Sequence, residues 1–505
     1  MPPRWPIVSR HLDDALVGVA FAAVVGLCVA FRYLPMVDLP QHYAMVSILV
    51  HHGDSAFDFG RRYTFDFLGR PYATVYWLGA ALAEVMPLAI AMRVIVAVCT
   101  LAPFAGLHAL LLATGRSRSW LLLAAPFAFG SLWHWGFLNF LLGTGLFLAG
   151  LAVVVRASIA PSRGSVAALV AVSIVAFFTH FHGLVMLLTF APVLAWAYLG
   201  DRASLVAVAR VLAPLVPSAV AAVLFVLLTW RQAEGSWSRI DPGMGERFDR
   251  FPEFLGAGLR PPWPLVELGT FVVVGALGFV LGESVALPRR ARFAFGAVLA
   301  GQIAMYFFLP LNTNTATYVS ARHALLVVLT AVPLLPGVSG RGGTAVRVLA
   351  GTACAVGLLV VGRHLVCFDR EARDFEGVES AMKPNRRVAS LVYARAGACG
   401  DDASFPYLHF AAYYQAARGG DLAHSFATVW NVPVRYRPDY ARYPFDDAIE
   451  WAPDRFSPRD LAHFDYVLVR GSRTPDLPGA VRVATSGAWA LFENPGALPD
   501  TLPSP

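Results

Sequence analysis

The chain has 505 residues, 57% of them hydrophobic and only 14% charged, with a mean hydropathy of +0.57. That profile excludes an ordinary soluble protein and marks a membrane protein. The net charge of +7 comes from arginines scattered through short loops, and Lys383 is the only lysine, as a GC-rich bacterial genome would favour. No basic face is interleaved with aromatics, so nucleic acid is excluded as a partner.

From the N-terminus, the first apolar run covers 15–30, with Arg4 and Arg10 before it and Phe31-Arg32-Tyr33-Leu34-Pro35 after it. No small-residue cleavage pattern follows, so it reads as a retained span. Runs near the ~20 residues that cross a bilayer place spans at about 13–33, 88–113, 119–134, 136–156, 165–181, 183–199, 204–230, 265–284, 291–309, 322–338 and 344–362. The stretch 72–86 is apolar but short and ends at Pro87. It reads as a twelfth span or as a helix lying partly in the membrane. Small residues crowd 137–145, which suits close helix packing.

Orientation follows from arginine placement. Loops with Arg116/Arg118, Arg156/Arg163, Arg202, Arg289/Arg290/Arg292 and Arg341/Arg347 alternate with loops around Trp133-His134-Trp135, Phe181-His182-Gly183, 231–264 and 310–321. Counting 72–113 as one crossing puts every arginine loop on the cytoplasmic side. The N-terminus is then inside and the C-terminal region outside a bacterial inner membrane. Arg61, Arg62 and Arg70 in the first outer loop run against the rule.

After Gly362 charged clusters, prolines and short alternating segments appear. Strands are expected at 387–393, 464–469 and 488–493, and helices at 371–382 and 408–418. The fold class is therefore mainly α. A polytopic transmembrane helical bundle of about eleven spans (1–362, outer loops 34–72 and 231–264) precedes a small extracytoplasmic α/β domain (363–505). That compartment permits a Cys367–Cys399 disulfide, and two unpaired thiols fit the sequence equally well. Cys28, Cys99 and Cys354 lie in apolar runs as packing residues, and neither CxxC nor zinc spacing occurs.

Residues able to do chemistry collect at the outer ends of spans. Val37-Asp38-Leu39-Pro40-Gln41-His42 follows the first run, where lipid headgroup meets water. Asp38, with Pro40 and a helix over 43–51 behind it, fits a helix N-cap as well as a catalytic carboxylate. Asp38 and His42 are four apart and share a face if the helix starts early. The pair also admits a divalent metal, although two ligands specify one poorly. His51 and His52 share the loop, and Asp54, Asp58 and Asp66 read as solvated carboxylates. His180 and His182 flank Phe181 at another outer end, where ionisable residues indicate a polar cavity. His134, between two tryptophans, fits an aromatic belt slightly better. Arg322 follows the polar stretch 312–320 and opens an apolar run. It can snorkel to headgroups or hold a phosphate through its planar fork. Tyr318 and Glu246 complete the candidate substrate-binding set, Glu246 from loop 231–264, whose length suits a lid or binding loop. Arg93 is explained by snorkelling. No P-loop and no GxGxxG in a strand–helix context is present, so a transferase here would take its donor from a lipid.

One span, an outer loop opening on an acid, Gly69-Arg70-Pro71-Tyr72-Ala73-Thr74-Val75-Tyr76-Trp77-Leu78, then Arg93 opening the next span: this order resembles the GT-C polytopic glycosyltransferases. It is most similar to bacterial relatives of protein mannosyltransferases and aminoarabinose transferases. The resemblance implies a polyprenyl-phosphate-linked sugar as donor and transfer on the outer face without a nucleotide. It places the family's first-loop acid, a catalytic base or metal-linked carboxylate, on Asp38. The basic residue that holds the lipid phosphate falls on Arg322. Many relatives keep a second acid beside the first, but Leu39 follows Asp38 here, leaving His42, Asp66 or Glu246 as helper. The Tyr-Trp stretch also lacks the family's second proline.

The expected function is an integral membrane glycosyltransferase acting on an unidentified acceptor among membrane lipids. The alternatives are a transporter or flippase of a lipid-linked substrate and a non-catalytic scaffold. No internal repeat is visible, and polar residues gather at the outer face rather than mid-span, which weighs against transport.

Overall fold

The described parts of the apolar runs named above are largely helical in the structure, a computed structural model that describes residues 7–67, 70–229, 242–256, 259, 261–282, 287–313, 316–338, 340–399 and 405–500. Among the described residues, eight helices are long and apolar enough to cross a membrane: Leu12–Val29, Leu88–Thr114, Leu138–Ile159, Phe181–Arg202, Leu205–Leu228, Trp263–Leu281, Arg289–Phe308 and Gly340–Glu379. The other three expected spans, Trp120–His134, Arg163–Thr179 and Arg322–Leu334, are shorter. Two of these are interrupted by 3₁₀ turns carrying Pro126 and Pro333, which cannot donate the next helical hydrogen bond. Thr74–Ala83 has 10 residues, about 15 Å of helix, too short to cross.

The residues group into two compact units, each discontinuous in sequence. The first comprises Met1–Leu27, Val96–Trp133 and Phe137–Gly362. Its helices meet through glycines, as the small-residue stretch implied. A Cβ on Gly145 would lie 2.4 Å from the Ala102 carbonyl oxygen, and one on Gly183 would lie 2.5 Å from that of Gly143. Only a missing side chain allows such approach. Polar contacts between helices include the Ser218–Ser173 hydroxyl bond of 2.8 Å. The arginine loops meet one another's neighbours. Arg347 pairs with Asp13 at 2.7 Å and Arg118 with Asp14. Arg202 donates to the Ser158 carbonyl at 3.1 Å, and Arg290 pairs with Asp201 at 3.3 Å.

The second unit comprises Cys28–Ile95, His134–Gly136 and Arg363–Pro505. Its strands are β1 (Tyr63–Phe65), β2 (Arg387–Val392), β3 (Asp421–Leu422), β4 (Val434–Tyr436), β5 (Tyr466–Arg470), β6 (Val481–Ser486) and β7 (Trp489–Glu493). Five form a sheet in the order β3-β2-β5-β7-β6, with β2 parallel to β3 and β5, and β7 antiparallel to both neighbours. All of β5 is buried, which explains its unbroken apolar run. Leu391, Val467, Val469, Phe445, Phe456, Phe464 and Phe492 make the core. The expected strands all form. The exposed edge strand β6 and the two- and three-residue strands β1, β3 and β4 were not expected.

The first outer loop is knitted to the C-terminal residues within this unit. β1 pairs antiparallel with β4 in the register Tyr63↔Tyr436. The Asp421 carboxylate accepts hydroxyl hydrogen bonds from Tyr63 (3.0 Å), Tyr436 (2.5 Å) and Tyr440 (3.1 Å). Helix Leu39–Val50 lies against helix Ala411–Arg418, where the Ser47 hydroxyl donates to the Ala416 carbonyl at 2.7 Å and Tyr43 meets Tyr413 edge-on. Cys367 and Cys399 form a disulfide, resolving the alternative left open by the sequence.

Candidate active site

Asp38 occupies the N-cap position of helix Leu39–Val50, but its side chain makes no capping hydrogen bond. A cap accepts from the N–H of the second or third helical residue. The second is Pro40, which has none. The carboxylate instead faces His409, with Asp38 Oδ1 3.3 Å from His409 Nδ1. On the other side of that ring, Nε2 lies 2.7 Å from Glu450 Oε1. His409 immediately precedes the segment leading into helix Ala411–Arg418, and Glu450 ends the 3₁₀ helix Asp447–Glu450. Burial alone would drive His409 towards neutrality. The charge of Glu450 and hydrogen bonds to Asp38 and Glu450 outweigh it and push its pKa up to about 10. Burial also works against the charge of Glu450, but the His409 cation holds its carboxyl below the ordinary value.

The His42 ring makes its hydrogen bonds to other groups, while the Asp38 charge acts on it from nearby. Its Nδ1 lies 3.0 Å from the Tyr76 hydroxyl and its Nε2 3.1 Å from the Gly136 carbonyl oxygen. A carbonyl can only accept, so Nε2–H donates to Gly136, and in the neutral ring Nδ1 then accepts from Tyr76. That arrangement is complete for a neutral ring, and burial lowers the His42 pKa. The turn Trp133-His134-Trp135-Gly136 frames this corner. Within the second unit, Val37 N–H donates to the His134 carbonyl at 2.8 Å and Asp38 N–H to that of Trp135 at 3.2 Å. His134 is buried, its ring beside His364, and is no belt residue. Gln41 clamps the next loop, donating to the His424 carbonyl at 3.1 Å and accepting from Phe426 N–H at 3.1 Å.

The first unit brings Arg322, His180, His182 and Tyr318 together. Arg322 opens helix Arg322–Ala331, and its guanidinium lies 3.3 Å from His180 Nε2 and donates to the Thr317 carbonyl at 3.1 Å. It covers the rings of Phe137 at 5.3 Å and Phe140 at 5.6 Å, cation–π contacts. His180 Nδ1 also faces the His182 N–H at 3.2 Å. A neutral imidazole has one acceptor nitrogen, so His180 accepts from only one of these donors at a time. The His182 ring lies tilted against that of His323 with centroids 4.8 Å apart. His323 Nδ1 meets Gln302 Oε1 at 2.7 Å. Tyr318 holds φ +53°, its N–H donating to Asn312 Oδ1 at 2.9 Å.

The remaining candidates lie elsewhere. Glu246 is half exposed on helix Met244–Leu255 and pairs with Arg250 at 3.1 Å. Asp66 pairs with Arg70 at 3.1 Å. Gly69, Trp237, Arg239, Asp241, Asn314 and Thr315 lie outside the described residues. No group of three or more His, Cys, Asp or Glu that could hold a metal ion occurs among the described residues. A cavity of about 520 Å³ lined by Arg387, Tyr440, Arg442, Tyr443, His463 and Asp500 contains none of the residues nominated from the sequence. His409 and Glu450 were missed because no spacing links them to Asp38. His323 was within reach, since it follows Arg322 at the start of the same span.

These features define a polytopic, mainly helical membrane protein with a small C-terminal sheet. No protein-family model matches the chain, and no curated protein matches its sequence. Among solved structures, it is similar to ArnT from Cupriavidus metallidurans bound to undecaprenyl phosphate, with a TM-score of 0.51 and 14% identity over 96% of this chain and 99% of that one. The apo state of the same protein gives a TM-score of 0.52 and 12% identity over 98% and 100%. At such identity the likeness establishes the fold: this chain has the GT-C architecture of ArnT.

Proposed function

We propose that the protein is a membrane glycosyltransferase that moves a sugar from a polyprenyl-phosphate donor to an acceptor on the outer face of the membrane. The observation that carries this reading is Asp38. It is a carboxylate just beyond the first span, relieved of capping and held by a buried imidazole. The ArnT-like fold, in a protein solved with undecaprenyl phosphate, supports a lipid-borne donor. In the proposed step the acceptor oxygen attacks the anomeric carbon while Asp38 takes its proton. The bond from that carbon to the phosphate oxygen breaks, its electron pair leaves with the polyprenyl phosphate, and the anomeric centre inverts. Arg322 is proposed to bind the phosphate and stabilise its growing charge, with His180 and His182 shaping the polar surroundings. The disulfide supports an extracytoplasmic C-terminal region in a bacterial inner membrane, since reducing compartments disfavour such bonds.

The test is sugar transfer from radiolabelled polyprenyl-phosphate sugars in proteoliposomes. Asp38→Asn is expected to lose about 10²–10⁴-fold in kcat, the usual contribution of a general base. Full turnover by Asp38→Asn would remove Asp38 from the chemistry.

A further inference from the structure

The hydrogen bonds around His409 define its state. Nε2–H points to Glu450 Oε1 at 2.7 Å, while Nδ1–H is shared between the Val37 carbonyl at 3.1 Å and Asp38 Oδ1 at 3.3 Å. Only an imidazolium can donate from both nitrogens. A neutral ring would turn one lone pair towards an acceptor oxygen. The three side chains are between 10% and 17% exposed, so each charge depends on its neighbours more than on water.

We propose that His409 is the positioning residue for Asp38 and that Glu450 keeps His409 a cation, so the C-terminal region completes the base. The inference rests on the reading of Asp38 as that base. His409 engages Oδ1, leaving Oδ2 as the oxygen available to the acceptor's proton. Glu450 has a second purpose. Before proton transfer the set carries two negative charges and one positive. Once Asp38 is protonated, one of each remains, and His409 is still paired. Without Glu450 the same proton transfer would strand a buried imidazolium with no counter-charge, a state that burial disfavours.

The other groups facing this set fit the role. On the Asp38 side, burial favours the neutral form of His42 against the Asp38 charge and the Gly136 hydrogen bond. On the Glu450 side, His424 sits 3.7 Å from Asp447, and Arg395 adds positive charge near Glu450. The Phe426 ring lies edge-on to both His42 and His409, with centroids 5.7 Å away in each case, and contributes no charge.

Two measurements on the full chain test the proposal. In lipid nanodiscs, ¹⁵N-histidine solid-state spectra, with His409→Gln assigning the signal, should show both His409 nitrogens protonated at pH 8. Glu450→Gln should lose that proton at a pH lower by about 1–3 units, the shift a contacting opposite charge produces. In the transfer assay, His409→Gln should lower kcat about tenfold or more with KM held, a part of the base's contribution. It should also abolish the alkaline limb of the pH profile, since glutamine has no proton to lose. Glu450→Gln should move that limb to lower pH. A purely structural role would lower activity at all pH values alike. A neutral His409 at pH 7 in the wild type overturns the proposal. So does a His409→Gln protein with wild-type kcat and alkaline limb in a series where Asp38→Asn is inactive. Full turnover by Asp38→Asn would instead overturn the base assignment, and the positioning role with it.

Discussion

Gly136→Ala sets a methyl group against the proposed base. Gly136 has φ +85°, and a Cβ there would lie 2.9 Å from Asp38 Cβ, 3.0 Å from its nitrogen and 3.2 Å from its Cα. None of these atoms is the loose end of a side chain. Asp38 opens helix Leu39–Val50, and its N–H is bonded to Trp135. A left-handed alanine costs about 1–2 kcal/mol in torsion, and overpacking adds about 1–3 kcal/mol. The expected destabilisation is therefore about 2–5 kcal/mol. Gly479→Ala is the control: Gly479 has φ +81° with nothing within 4 Å of its would-be Cβ, so it carries only the torsional part. At about 2–4 °C per kcal/mol for a body of roughly 200 residues, Gly136→Ala should melt about 4–20 °C lower and Gly479→Ala about 2–8 °C lower. Reaction of the buried Cys28, Cys99 and Cys354 thiols with a fluorogenic maleimide on heating reads both. Turnover at a temperature where each variant is folded should also fall in Gly136→Ala, because the Gly136 carbonyl that receives His42 moves. Equal melting shifts for the two variants, with equal turnover, would refute the close approach of Gly136 to Asp38.

Two further outcomes follow from the second unit. Cys399→Ser opens a link spanning 32 positions, and loop entropy puts its loss at about 3–4 kcal/mol. Alkylation and mass spectrometry should find Cys367 protected in the wild type and labelled in the variant. Stability should also depend on His409, whose pKa rises from 6.5 to about 10 on folding. A group whose pKa rises on folding stabilises fully below its unfolded value and ceases to do so as pH passes its folded one. The wild type should therefore lose stability progressively between about pH 6.5 and pH 10, and His409→Gln should not. Glu450 shifts the other way, so its contribution is present above the ordinary carboxylate range and lost as pH falls through it. Melting curves across that range check both signs, and a wild type whose stability is flat through the alkaline range would contradict the charged state of His409.

Much of the fold was legible because its signals are local. Apolar runs long enough to span a bilayer announce helices, and the Gly143–Gly145 stretch announces close packing. The 464–469 run announces a buried strand. The 3₁₀ turns within two of the expected spans were less legible, since a proline within an apolar run leaves hydropathy intact while disturbing the helix, as at Pro126 and Pro333. That Arg322, His180, His182 and Tyr318 lie near one another was legible from their common place at the ends of spans. Asp38 was found the same way, but its role between cap and reactive carboxylate stayed open.

Read alone, the sequence was enough for the helical membrane architecture, the α/β character of the C-terminal region and the position of Asp38 just beyond the first span. Each rests on hydropathy, periodicity or position along the chain. The pairing of the Asp38 carboxylate with His409 appears only in the folded chain. Its partner His409 is more than three hundred residues away (|i−j| = 372 from Val37, the other acceptor at Nδ1), and such a pairing leaves no spacing to read. The physical choice was between a helix terminus whose second residue, Pro40, offers no N–H and a buried imidazole that could offer a full charge. Folding brought the imidazole, and Glu450 behind it, to the carboxylate.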